Sequence, residues 1–391
     1  MSFIDYFSHP TTALITNIAS LLTPSFLALI SIVTILYTLT LSPLPSTPAL
    51  SIDYLLHLTS FLFPPIQFIW SCALGSHLSY LAIAKTPSYL PFTLATWYTL
   101  LYSLSAINTR LGNGKARKLV WSQQIAVITG GAGGLGWLIA KILELKGASV
   151  AVWDVKASEE LEREEGGVKW YRVDVTDVQE VEMAWQRVKD DLGTPTILIN
   201  NAGIVNGLPL LSLTATQYTR CFAINTLSHF HTTRTFLPSM LSSPLGGTIV
   251  TVSSVLGHLG ASHLTDYTAS KAALQAFHTS LGAEISQLSS SPQHPGAKNT
   301  RMLLVKPGQL STAMFSTLKS PSDFFGPVVQ AKDLAKAIVD GIEEGRDGVV
   351  AMPVYAHLVE WLGVLPTGLQ RAARWMSGVD GAMKTFGSKR E

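Results

Sequence analysis

The chain has 391 residues, 47% of them hydrophobic and only 14% charged, with a net charge of +2 and a mean hydropathy of +0.29. A charge content so far below the roughly 25% of an ordinary soluble protein excludes a disordered chain and argues against a wholly soluble one. Near-neutrality speaks against a nucleic-acid partner, and the two well-separated cysteines, Cys72 and Cys221, make neither a disulfide framework nor a ligand pair.

The charge is unevenly spread. Of 28 basic and 26 acidic side chains, only Asp5, Asp53 and Lys85 fall in residues 1–109. Within that region residues 25–42 form an uncharged apolar run, as a helix roughly 27 Å long and close to the thickness of a bilayer core. Pro43, Pro45 and Pro48 end it. A second run, residues 54–84, is broken by Pro64 and Pro65, which suits a kinked or re-entrant helix. A third, residues 90–107, meets a basic flank of Arg110, Lys115, Arg117 and Lys118, which would keep the following domain on the cytosolic side. No basic residue precedes the first run, so a signal peptide is a poor fit. The expectation is a hydrophobic helical membrane region over 1–109 and a basic linker over 110–121.

From Gln123 the pattern changes. Residues 124–128 are short, apolar and β-branched, as a buried strand is, and Thr129-Gly-Gly-Ala-Gly-Gly-Leu-Gly136 follows. Residues 137–146 have helical spacing, Gly147 is a stop, and residues 148–153 read as a second strand ending in Asp154. Glycines in such a turn let backbone N–H groups approach a pyrophosphate, and the next helix directs its positive end at that anion. A carboxylate at Asp154 suits the ribose hydroxyls of NAD and repels the 2′-phosphate of NADP, although Lys156 keeps NADP open.

Further along, Asn200-Asn201-Ala202-Gly203 follows the strand at residues 196–199, and Ser254 follows the strand at 248–252. Tyr267-Thr-Ala-Ser-Lys271 begins thirteen positions after Ser254. With the glycine turn, these motifs resemble the short-chain dehydrogenase/reductase family over residues 122–353. The resemblance implies a doubly wound α/β Rossmann fold, with a parallel sheet of about seven strands and helices on both faces. It implies a catalytic set of Asn225, Ser254, Tyr267 and Lys271, with Ser253 the less favoured serine. It further implies that Thr129, Gly130, Gly134, Leu135, Gly136, Asp154, Asp174, Val175, Asn201, Ala202, Gly203, Tyr267, Lys271, Pro307, Gly308 and Thr312 bind the cofactor. Helical spacing at residues 177–192, 214–241, 265–288 and 331–344, with strands at 168–173, 301–306 and 348–352, agrees with an alternating α/β order. Ser289 to Asn299 reads as a surface loop. The likeness is greatest to the membrane-anchored retinol and hydroxysteroid branch.

Oxidation of an alcohol requires a base for the hydroxyl proton, and a free tyrosine, with a pKa of about 10, is too weak an acid for neutral pH. Lys271 lies four residues from Tyr267 on one helix face, where its ammonium would favour phenolate together with the positive nicotinamide. Ser254 would hold the substrate oxygen, and the resemblance gives Asn225 a water linked to Lys271. His229 and His231 lack acidic partners for a metal, His258 and His263 are loop histidines or substrate contacts, and His278 reads as a helix surface residue.

The expected activity is hydride transfer between NAD, with NADP as the alternative, and a lipophilic alcohol or ketone such as a retinoid, steroid or other lipid. An NADPH-dependent carbonyl reductase and a non-catalytic membrane or droplet scaffold are the competing readings. Expected partners are the lipophilic substrate and membrane lipid, with a homodimer as an open alternative and without nucleic acid or metal. The expected location is the endoplasmic reticulum or lipid droplets with the catalytic domain in the cytosol. Residues 354–391 form an amphipathic tail in which Trp361 to Trp375 would meet the interface with Arg371 and Arg374 toward phosphate.

Overall fold

The computed structural model describes residues 116–158, 161, 167–312, 327–357 and 359–379, all within one compact unit, Thr109–Glu391. The expected membrane region therefore lies outside the described residues. Among the described residues no helix is long and apolar enough to cross a membrane.

Short β-branched runs become strands: β1 (Ile125–Thr129), β2 (Ser149–Asp154), β3 (Val168–Arg172), β4 (Ile197–Asn200), β5 (Thr248–Val252), β6 (Arg301–Pro307) and β7 (Gly348–Met352). All pair in parallel, in the order β3-β2-β1-β4-β5-β6-β7. The order reverses between β1 and β4, and the crevice beyond the carboxyl ends of those strands is where such sheets bind ligands.

Alternate residues feed two cores, as a strand buried on both faces requires. On one face Ile128, Val152, Ile199, Val250 and Val305 meet α1 (Gly134–Leu145) and α7 (Ala331–Glu344) through Ile139, Leu143, Leu334 and Ile338. On the other, Val127, Trp153, Leu198 and Ile249 meet α2 (Val178–Leu192), α4 (Ser228–Ser242) and α6 (Thr265–Leu288) through Val181, Phe236, Met240 and Leu281. Trp153 and Phe236 pack edge to face, with ring centroids 5.5 Å apart. Each such fully buried side chain contributes roughly 1.5–3 kcal/mol relative to exposure.

Three expectations are corrected. The helix expected over 214–241 is α3 (Ala215–Phe222), a π-helical turn (Ala223–Leu227) and α4, so Asn225 sits in a widened turn. The basic linker does not hold at Arg117, whose buried guanidinium donates to Leu245 O (3.0 Å), Thr248 Oγ1 (3.0 Å) and Gln124 Oε1 (2.9 Å). Arg117 is thus built into the catalytic unit and is no membrane-facing cation. Burial, with Arg301 nearby, lowers its pKa to about 10. His278 is half-buried, its Nδ1 lies 3.0 Å from Thr251 Oγ1, and burial lowers its pKa to about 4.

Candidate active site

The glycine turn is built by close approach. Gly130 has φ +62°, and a Cβ there would lie 2.8 Å from the Ala202 Cα. A Cβ on Gly136 would lie 2.5 Å from Gly130 O and 2.7 Å from Asn201 Nδ2. Thr129 Oγ1 accepts from the N–H groups of Asn201 (3.0 Å) and Ala202 (3.1 Å), and Asn201 Nδ2 donates to Thr129 O and Gly130 O. Thr129, Gly136 and Asn201 thereby lock the β1 and β4 ends together, and Leu135 is buried in the core that includes Ile128 and Ile199. Helix α1 starts at Gly134, earlier than helix propensity predicts, because Gly134 at φ +55° turns the chain into it.

Gly133 is different: nothing lies within 4 Å of the place its Cβ would take. Beside this opening, Asp154 Oδ2 accepts from Ala132 N at 3.1 Å, at the end of β2. Thr312 reaches the same turn, its Cγ2 lying 3.8 Å from a Cβ built on Gly134. A glycine-walled opening at a helix N-terminus, with a carboxylate at the next strand end, fits a nicotinamide dinucleotide. Asp174 and Val175 stand at the end of β3. The Asp174 carboxylate accepts from Thr176 N (2.9 Å) and Oγ1 (2.7 Å), and Val175 O lies 3.2 Å from His231 Nδ1.

The four catalytic candidates converge and are all buried. Ser254 is held by the β5–β6 pairing as it runs on: Ser253 N donates to Val305 O (2.8 Å) and Val255 N to Pro307 O (3.0 Å). Tyr267 and Lys271 project from one face of α6, and Lys271 Nζ donates to Val252 O at 2.9 Å, the last residue of β5. A Cβ built on Gly203 would lie 3.6 Å from Lys271 Nζ and 3.5 Å from Asn225 Oδ1, so the Asn-Ala-Gly loop closes over the same cluster. Pro307 O accepts from Ser254 Oγ (3.4 Å), and Gly308 N donates to Met352 O (2.7 Å), which sets that segment beside the cluster.

The sequence did not reveal the bracing around these groups. Asn225 Oδ1 accepts from Ile204 N (2.8 Å), while its Nδ2 donates to Ile204 O (3.0 Å) and Ser270 Oγ (3.1 Å). The side chain is a brace for the loop after Gly203. Gln275 Nε2 donates to Ser254 O (3.0 Å) and Ser253 Oγ (3.3 Å), and Ser253 Oγ donates to Lys271 O (2.9 Å). Ser253 therefore supports the helix, which leaves Ser254 as the serine at the cluster. The helical spacing of Lys271 and Gln275 was the one available signal for the latter.

Burial pushes the Tyr267 phenol up to about 12, and a hydrogen bond with Ser254 works against that rise. Burial lowers the Lys271 ammonium to about 8. Lys271 Nζ lies 5.8 Å from the Tyr267 ring centroid and is committed to a backbone carbonyl. Among the chain's own groups it is Ser254 that acts to lower the phenol, whereas the expectation pairs Lys271 with the positive charge of a bound nicotinamide.

A doubly wound sheet with a dinucleotide cradle beside a buried Ser-Tyr-Lys cluster defines an NAD(P)-dependent oxidoreductase acting on CH–OH groups. The family model for short chain dehydrogenases matches residues 124–322, and the chain belongs to that family. The bovine short-chain dehydrogenase/reductase family 16C member 6 is 31% identical over 271 residues, covering 67% of this chain and 83% of that one. Human 17-beta-hydroxysteroid dehydrogenase 13 is 30% identical over 266 residues, covering 66% and 84%. The crystal structure of a short chain dehydrogenase from Burkholderia cenocepacia in complex with NADP superposes with a TM-score of 0.54 at 25% identity, covering 65% of this chain and 98% of that one. The retinol and hydroxysteroid branch is where these relatives place the chain.

Proposed function

We propose that the protein interconverts a lipophilic alcohol and its carbonyl form with NAD, on a membrane or droplet surface. The convergence of buried Ser254, Tyr267 and Lys271 beside the Gly133 opening is the observation that carries the chemistry. Gly130, Gly133, Gly134 and Ala202 would line the cofactor, Asp154 its ribose, Asp174 and Val175 its adenine end, and Lys271, Pro307, Gly308 and Thr312 its nicotinamide end. A bound nicotinamide supplies the hydride acceptor or donor.

The chain's own residues handle the proton. Ser254 orients the substrate oxygen and holds it against Tyr267. Tyr267 takes the hydroxyl proton during oxidation and returns it during reduction. A phenol held near 12 is a poor base at neutral pH, so the positive charge of Lys271 and of the occupied site has to draw the proton off. Lys271 keeps its charge at pH 7 despite burial and passes protons onward through water held near Asn225.

Lipophilic substrates and a lipid location draw support from the hydroxysteroid names of the relatives and from three charges in residues 1–109. A second reading, an NADPH-dependent carbonyl reductase, draws on Arg172, which sits opposite Asp154 in the β2–β3 register and is exposed, on Lys156, and on the NADP of the Burkholderia structure. Initial rates with NAD and NADP over a panel of retinoids, steroids and fatty alcohols test both. Preference for NADP would overturn the role given to Asp154, and no turnover with any lipophilic alcohol or ketone would overturn the substrate class.

A further inference from the structure

Beyond β7 the chain carries two short helices, α8 (Val359–Leu362) and α9 (Thr367–Ser377). Both fasten to α5 (Leu256–Leu259), which lies in the stretch of chain between Ser254 and Tyr267. Arg374 Nη1 of α9 donates to Leu259 O and to Gly260 O (3.1 Å), which corrects the expectation that Arg374 faces phosphate. From α8, Glu360 Oε1 lies 3.1 Å from His258 Nε2 of α5. His258 is therefore a fastening of α5 to the tail.

The same Glu360 oxygen pairs with Lys306 Nζ, and the Lys306 side chain is only 5% exposed. Every residue of β6 is buried, so a lysine is out of place there. Across the register Lys306 stands opposite Ala351 of β7, which belongs to an apolar group with Val255, Ala356 and Val359. An ammonium in such surroundings is costly unless a counter-charge meets it. Glu360 brings that counter-charge from the tail. Burial by itself would raise the Glu360 carboxyl, but Lys306 and His258 outweigh it and hold the group below the usual carboxylate range.

The two arms of this tie end at the two groups that orient Ser254. Lys306 precedes Pro307, whose carbonyl accepts from Ser254 Oγ (3.4 Å) and from Val255 N (3.0 Å). His258 stands two residues after Leu256, whose N–H donates to Ser254 Oγ (3.2 Å). The serine hydroxyl thus sits between a carbonyl fixed by the Lys306 arm and an amide fixed by the His258 arm. A shift of either arm moves that hydroxyl relative to Tyr267. We infer that Glu360 is a positioning residue for Ser254: by pairing with Lys306 and His258 through one oxygen, it sets the end of β6 against α5 and so aims the serine hydroxyl at the substrate oxygen. The kinetic consequence rests on the alcohol–carbonyl reading above; the tie itself does not.

The test uses the full chain with NAD and the best alcohol of the panel. Glu360→Gln is expected to lower kcat roughly 10–100-fold, the scale of a small misplacement of an orienting group. The Kd for NADH should stay within about twofold of wild type, because the cofactor cradle is untouched. In a Ser254→Ala background the same change is expected to alter the single-turnover rate by less than about twofold, since the group it aims is already gone. An unchanged kcat in Glu360→Gln, or an equal loss with and without Ser254, would overturn the positioning role. Where Glu360→Gln fails to fold, His258→Leu cuts the α5 arm and leaves Lys306 paired. It is expected to lower kcat roughly 3–10-fold, again only when Ser254 is present, and an unchanged kcat there would overturn the role as well. Hydrogen exchange read by mass spectrometry gives a second answer without turnover. The peptide covering residues 254–260 should exchange at least about tenfold faster in Glu360→Gln while β1 and β4 peptides keep their wild-type rates, and unchanged exchange at 254–260 would overturn the tie. If wild type turns over no alcohol or carbonyl compound, the proposed function fails while the exchange result still decides whether Glu360 holds the Ser254 segment.

Discussion

Asn225, Ser254, Tyr267 and Lys271 are polar side chains taken out of water, whereas Trp361, Leu369 and Trp375 are apolar side chains left in it. The first group is tolerated because nearly every donor and acceptor is matched: Lys271 by Val252 O, Asn225 by Ile204 and Ser270, Ser254 by Pro307 O. The second group has no such compensation within the described residues, since its exposed surface has nothing to satisfy and nothing covering it. The inverted burial in the cluster serves chemistry, where desolvation sharpens electrostatics. In the tail it leaves Trp361, Leu369 and Trp375 uncovered among the described residues.

Replacing Tyr267 by Phe should have the largest effect. The ring still fills its place while the proton acceptor is gone, so kcat is expected to fall by roughly 10²–10⁴-fold. NADH titration by fluorescence should give a Kd within about twofold of wild type, and substantial turnover would remove Tyr267 as the base. The next effect is one of pH. The folded protein holds Lys271 near 8 against about 10.5 in the unfolded chain. Between those values the unfolded state binds the extra proton, so stability rises with pH there and is lost as pH falls through 8. Chemical denaturation of the cofactor-free protein is expected to show a gain of about 2 kcal/mol from pH 7.5 to 9.5 that Lys271→Met lacks. Above 10 the raised Tyr267 pKa acts in the opposite sense, so the comparison belongs between pH 7.5 and 9.5.

Asp154→Ala should weaken NAD binding by about 1.5–3 kcal/mol, since charge-assisted bonds to the ribose are lost along with the brace on Ala132 N. The ratio of kcat/KM for NAD over NADP is expected to fall, and an unchanged ratio would move the discrimination elsewhere. The smallest effect sharpens the comparison most. Trp375→Ala in detergent-solubilised protein should change stability by less than about 0.5 kcal/mol, as exposed surface substitutions do, while Trp153→Ala in the core should cost about 3–5 kcal/mol. A large loss at Trp375 would mean that the tail tryptophan packs on protein.

The sheet and its order of elements were legible because they are written in local signals, whereas the catalytic set Asn225, Ser254, Tyr267 and Lys271 was legible through the family resemblance. Apolar runs of four to seven residues, glycines between strand and helix, and a tyrosine and lysine one helical turn apart all lie within short windows. What was not legible depends on distant partners. Arg117 reads as part of a basic flank until Leu245 and Thr248, 128 and 131 positions away, accept its hydrogen bonds. His278 reads as a surface histidine until Thr251 in β5 meets it. Arg374 carries the same composition signal as Arg371, and only the carbonyls of Leu259 and Gly260 show that one points inward. The π turn at Asn225 likewise has no local signature; it follows from the need to bring that amide to Ile204.

The central claim is that this buried cluster supports hydride transfer between an alcohol and a nicotinamide. It is tested most directly with the full chain, NAD and a lipophilic secondary alcohol carrying deuterium on its carbinol carbon, followed by mass analysis of the reduced cofactor. The account predicts one deuterium in the NADH formed, and labelled NADH forming roughly 10²–10⁴-fold more slowly with Tyr267→Phe. Tight NAD binding with no labelled NADH for any alcohol in the panel would contradict it and leave the fold as a scaffold.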